Sequence, residues 1–125
     1  MSRPEIGLQV FVLDTPDPHG LAAFYAALLG WDLDDAATDD RWVQLRAPAG
    51  GGLAFQRAPA HVPPSWPGET VPLRAHLDLH VADLVAAESW ALRHGAVRVL
   101  GPNESPTFRT YRDPGGHVFC LVVAG

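Results

Sequence analysis

The chain has 125 residues, enough for one domain or for two small halves that share a core. Apolar residues make up 47% and charged residues 18%, the balance of a folded globular protein rather than a disordered one. Its formal charge of −5 comes with scattered arginines and no lysine. That excludes lysine-nucleophile chemistry and leaves no clustered positive face for nucleic acid.

The only cysteine, Cys120, forms no internal disulfide and rules out a cysteine-cluster zinc site. The opening residues Met1 to Glu5 run into a short alternating segment and not into the apolar core of a signal peptide. No apolar run approaches the roughly 20 residues of a membrane helix. The expectation is a cytoplasmic protein with neither a membrane nor a nucleic-acid partner.

Leu8 to Leu13 alternates as a strand, with Leu8, Val10 and Val12 on one face. Asp17-Pro18 supplies an N-cap and a first-turn proline. The helix it predicts carries Leu21, Phe24, Tyr25 and Leu28 on one stripe and stops at Gly30. Strands are expected near Trp31–Asp34, Arg41–Ala47 and Leu53–Arg57, the last two joined across Gly50-Gly51-Gly52.

Residues 58–72 hold five prolines and read as a linker, not as structure. A second series follows: strand Arg74–Val81, a helix from cap Asp83 to His94, and Gly95 as its stop. Strands near Val97–Leu100, Thr107–Arg112 and Val118–Val123 complete it, with the turn Asp113-Pro114-Gly115-Gly116 between the last two. The chain is therefore written twice, as βαβββ modules over about 5–57 and 73–124. Superposing Asp14 on Asp83, an offset of 69, aligns Leu8, Val10 and Val12 with Leu77, Leu79 and Val81.

Two such modules resemble the vicinal oxygen chelate superfamily, which includes glyoxalase I, extradiol dioxygenases and bleomycin-resistance proteins. The resemblance covers nearly the whole chain. It is carried by the first strands ending in Asp14 and Asp83, by Phe24 to Trp31, and by the closing stretch Arg112 to Val122. It implies an α+β fold in which both modules build one open, curved mixed sheet with helices on its outer face. The concave side would hold the ligand, and a homodimer is implied. Metal-dependent members draw one ligand from the first and one from the last strand of each module. Carried over position by position, the first-strand places are Gly7 and His76, and the last-strand places are Ala54 and Cys120. Gly7 and Ala54 offer no side-chain donor, so no metal is expected. If one is present, His76 and Cys120 are its implied ligands.

His76, Asp78 and His80 alternate with Leu77, Leu79 and Val81, which is strand period, so the two histidines lie too far apart to share one ion. The three polar residues form one face, either lining the cleft or making a hydrogen-bonded row on an exposed sheet surface. Cys120 lies between valines, as a small core hydrophobe or as a cleft thiol near His76. His76, Asp78 and Cys120 are the catalytic candidates. Gln9, Phe11, Trp42 and Gln56 join His76, Asp78 and His80 as candidate ligand-binding residues, a wall suited to a planar organic molecule. Trp66, in the linker, is either a cover for the pocket or an anchor. Arg109 and Arg112 read as surface charges, and His61 and His117 are given no chemistry.

Three functions remain open. The first is a glyoxalase-like domain binding a small organic molecule without a complete metal site. The second is a metal-dependent lyase or dioxygenase with an unusual ligand set. The third is a non-enzymatic interaction or regulatory module.

Overall fold

Two aspartates start the two helices. Asp17 accepts the Gly20 N–H at 3.0 Å and opens α1, Pro18–Leu29; Asp83 accepts from Val85 at 2.9 Å and opens α2, Leu84–Arg93. Gly30 ends α1 in the left-handed region (φ 69°), where a side chain would be strained, and its N–H returns to the Ala26 carbonyl. The computed structural model describes residues 2–65, 70–100 and 105–123.

The strands are β1 (Phe11–Thr15), β2 (Asp32–Leu33), β3 (Trp42–Arg46), β4 (Leu53–Arg57), β5 (Leu77–His80), β6 (Val97–Val99), β7 (Phe108–Arg112) and β8 (Val118–Val122). A single 3-10 turn at Asp35–Ala37, not foreseen from sequence, follows β2. The α+β, two-module reading holds: each half is βαβββ. The strands fall into two four-stranded mixed sheets, ordered β1-β4-β3-β2 and β5-β8-β7-β6, with β1 parallel to β4 and β5 parallel to β8. No helix among the described residues is long and apolar enough to cross a membrane.

The first strand begins later than its hydrophobic pattern predicts. Its ladder opens with Phe11 donating to the Gly52 carbonyl and facing Leu53, where the glycine turn ends. The preceding residues have no partner there, and Leu8 is 86% exposed.

The internal repeat also has a different period. The caps Asp17 and Asp83 stand 66 residues apart, and the register pairs Val12–Ala54 and Gln44–Ala54 recur 66 residues later as Asp78–Cys120 and Thr110–Cys120. The offset of 69 is thus wrong by three. An odd slip exchanges the faces of a strand. Leu13 joins the core, so alternation puts Val12 and Ala54 on the face away from it, as Asp78 and Cys120 are in the second sheet.

A single hydrophobic cluster contains residues of both halves. Tyr25 on α1 stacks on Phe55 of β4 (centroids 5.7 Å) and meets Phe119 of β8 edge-on (6.2 Å). Its hydroxyl donates to Asp113 Oδ2 at 2.6 Å, in the turn between β7 and β8. On α2, Glu88 accepts from Tyr111 and pairs with Arg98 and Arg109 at 3.0–3.2 Å, fastening the helix to its own sheet.

Candidate functional site

The proline-rich segment has no helix or strand among its described residues, yet it is held in place. Ala58 N–H donates to the Thr15 carbonyl, and Ser65 and Val71 bond to each other through Ser65 N–H to the Val71 carbonyl (2.7 Å) and Val71 N–H to Ser65 Oγ (3.1 Å). Arg112, read as a surface charge, instead gives Nη1 to the carbonyls of Pro64 and Gly116, both at 2.9 Å. Arg109 does ion-pair, with Glu88. The His61 ring stacks on His117 with centroids 4.7 Å apart. The segment is a wall of the molecule as well as a connection between its halves.

Behind that wall lies a cavity of about 440 Å³, bounded by β1, the approach to β5 and the linker. Phe11, Val12, Val62 and Val118 supply apolar surface, and Gln56, His61, His76 and His117 supply polar groups. His117 Nε2 lies 2.6 Å from the Asp14 carbonyl oxygen. His61 Nε2 is buried and has no hydrogen-bond partner. Burial first, and then the neighbouring His117, lower the His61 pKa below the ordinary histidine value and favour the neutral ring. His61 lines the cavity as a residue, but its Nε2 is buried and not exposed to it.

Of the sequence-derived candidates, Phe11, Gln56 and His76 line this cavity. Gln9, Trp42, Asp78 and His80 are not among its lining residues. Trp42 instead donates its indole N–H to Gln44 Oε1 at 3.0 Å, while Asp78 and His80 are exposed. Trp66 lies outside the described residues. His61 and His117 were missed: nothing in their spacing marks them, because one is in the linker and the other in a turn.

His76, Asp78 and Cys120 do come together. His76 Nε2 is 3.0 Å from Asp78 Oδ1, and one donor atom from each of the three residues lies within 4.8 Å of the other two. Parallel pairing of β5 with β8 places Asp78 directly beside Cys120. Thr110, across β7, is 3.4 Å from Cys120 Sγ. Burial is the main reason that the Cys120 thiol pKa is raised, partly offset by the Thr110 contact and reinforced by Asp78. This is not the environment of an activated nucleophile.

The four-ligand metal arrangement implied by the resemblance can now be placed at the correct period. The first-module counterpart of His76 is Val10, not Gly7, and that of Cys120 is Ala54. Neither Val10 nor Ala54 has a donor atom, so the two-sided set does not fit this chain.

The sequence profile of the glyoxalase-like domain matches residues 10–122, and the chain belongs to that family. A glyoxalase/bleomycin resistance protein/dioxygenase family enzyme from Burkholderia phytofirmans superposes with a TM-score of 0.73 at 18% identity, covering 94% of this chain and 98% of that one. TnmS3, an antibiotic binding protein from Streptomyces, gives 0.62 at 22% identity, over 99% of this chain and 100% of its own. The bleomycin-binding protein of Streptomyces verticillus gives 0.59 at 18% identity, over 98% and 100%. At these identities the likeness is one of fold. No curated protein sequence matches the chain.

Proposed function

We propose that this glyoxalase-like protein binds a small organic molecule with both apolar and polar parts in the cavity between its two halves and the linker. The observation that carries this reading is the cavity itself. Its 440 Å³ falls within the roughly 300–1,000 Å³ usual for small-molecule sites, and its walls mix apolar side chains with polar ones. Gln56, His61, His76 and His117 all line it and offer hydrogen-bonding side chains. Two proteins of the same fold are described as binding an antibiotic and bleomycin, which supports a drug-like or metabolite-sized ligand.

Binding needs no chemical step. The cavity desolvates the apolar part of the ligand, and His61, His76 and Gln56 bind its polar end. A thermal-shift screen of aromatic antibiotics and amphiphilic metabolites tests the reading. At a ligand concentration a hundredfold above Kd, binding stabilises by about 2.7 kcal/mol, a rise in Tm on the order of 10 °C. Val12→Trp, which fills the cavity from β1, should abolish the shift. No shift in wild type, or an equal shift in the filled variant, would count against the proposal.

A further inference from the structure

From the stacked rings of His61 and His117 we infer a pH-sensitive latch: residues 58–65 are seated on the body of the protein while His61 is neutral, and are released when its ring takes up a proton. The latch belongs to the wall and not to what the cavity holds, so it stands or falls without the ligand proposed above. Because His61, Val62 and Pro64 line the cavity, release opens it from this side.

Four contacts seat the segment. Ala58 N–H donates to the Thr15 carbonyl at the end of β1, and Arg112 Nη1 donates to the Pro64 carbonyl, both at 2.9 Å. Pro63 packs on Gly116, where a Cβ would collide with it. Beside them the His61 ring lies on His117, centroids 4.7 Å apart and planes 22° apart. Amides, a guanidinium and a proline ring do not change charge between about pH 5 and 8; the stack does.

Protonation opposes the stack in two ways. His61 Nε2 is buried with no hydrogen-bond partner. The imidazolium carries a proton on both nitrogens, so an N–H donor would be buried there without an acceptor. The new charge also falls face to face with His117, whose Nε2 is 2.6 Å from the Asp14 carbonyl oxygen. The surrounding charges pull both ways. Burial and His117 lower the His61 pKa, while the carboxylates of Asp14 on β1 and Asp113 in the β7–β8 turn act against them. Arg112 adds positive charge from β7, and Arg74 and His76, on the approach to β5, line the same cavity. Tyr25 on α1, bonded to Asp113, stays neutral in this range. The net direction is downward, so the seated ring holds a proton less tightly than the released one, which has the ordinary value of about 6.5. Seating is therefore at full strength above about pH 6.5 and weakens as pH falls below it.

The test is amide hydrogen exchange of the full-length protein from about pH 7.5 to about pH 5.5, corrected for the intrinsic pH dependence of exchange. The Ala58 N–H reports the seated segment, and that of Leu121, buried in the middle of its sheet, reports global opening. The expected result is a flat Ala58 profile above about pH 7 and a severalfold loss of protection below about pH 6.5. The limiting slope is about tenfold per pH unit for one proton, and Leu121 should not follow it. His61→Phe keeps a ring on His117 but has nothing to titrate, so its Ala58 profile should be flat throughout. A flat wild-type profile would overturn the inference. So would a loss that persists in His61→Phe or that Leu121 shares.

Discussion

Tyr25 is the residue on which the two halves depend most directly. It is fully buried, stacks on the first sheet, and gives its hydroxyl proton to Asp113 of the second module. Asp113 also accepts from the Gly115 and His117 N–H groups, so its carboxylate is enclosed by donors although burial raises its pKa. Tyr25→Phe removes one of those donors and leaves Asp113 Oδ2 unpaired, which should cost about 1–3 kcal/mol in urea unfolding at pH 7. The same variant changes the alkaline response. Burial, then the charge of Asp113 and the hydrogen bond to it, hold the Tyr25 pKa well above its ordinary value; burial and Glu88 raise that of Tyr111. The folded state therefore keeps protons that the unfolded chain releases above about pH 10, and stability falls as pH rises from there. In Tyr25→Phe that fall should be shallower, with Tyr111 supplying the remainder. An unchanged slope would remove Tyr25 from this account.

At the scale of elements, the linker and the turn between β7 and β8 act together. Gly116 has φ +84°, and a Cβ there would lie 2.6 Å from Pro63 Cβ and 2.8 Å from its Cγ. Gly116→Ala combines left-handed strain of about 1–2 kcal/mol with displacement of Pro63. It should lower Tm and speed protease cleavage within residues 58–65, whereas Gly30→Ala, with open space at its Cβ, should lower Tm alone. Most elements were legible in sequence because their signals are local. Asp17-Pro18 and Asp83 capped the helices, and the hairpin strands β3, β4, β7 and β8 fell within a residue or so of their predicted limits. What failed was register. Asp14 and Asp83 end similar alternating runs, so they seemed equivalent, but the true counterpart of Asp83 is the other cap, Asp17. The linker was unreadable for a different reason: its described residues are held by hydrogen bonds with Thr15 and Arg112 and by stacking on His117, all remote in sequence.

For the whole molecule, the two modules share one core and leave a cavity where their first strands and the linker converge. Phe11, Gln56 and His76 could be picked out because they stand on recognisable strand faces. The meeting of Asp78 with Cys120 could not be derived from periodicity, since it needs the parallel register of β5 on β8. His61 is not legible in the sequence because its place beside the cavity depends on its stacking against His117, 56 residues away.

The account's central claim is that the cavity is the ligand site, and the most direct measurement is a crystal structure with the strongest thermal-shift hit. The expected result is the molecule between β1, the approach to β5 and the linker, in contact with the side chains of Gln56, His61 and His76. A ligand bound on any other surface, with the cavity holding only water, would contradict it.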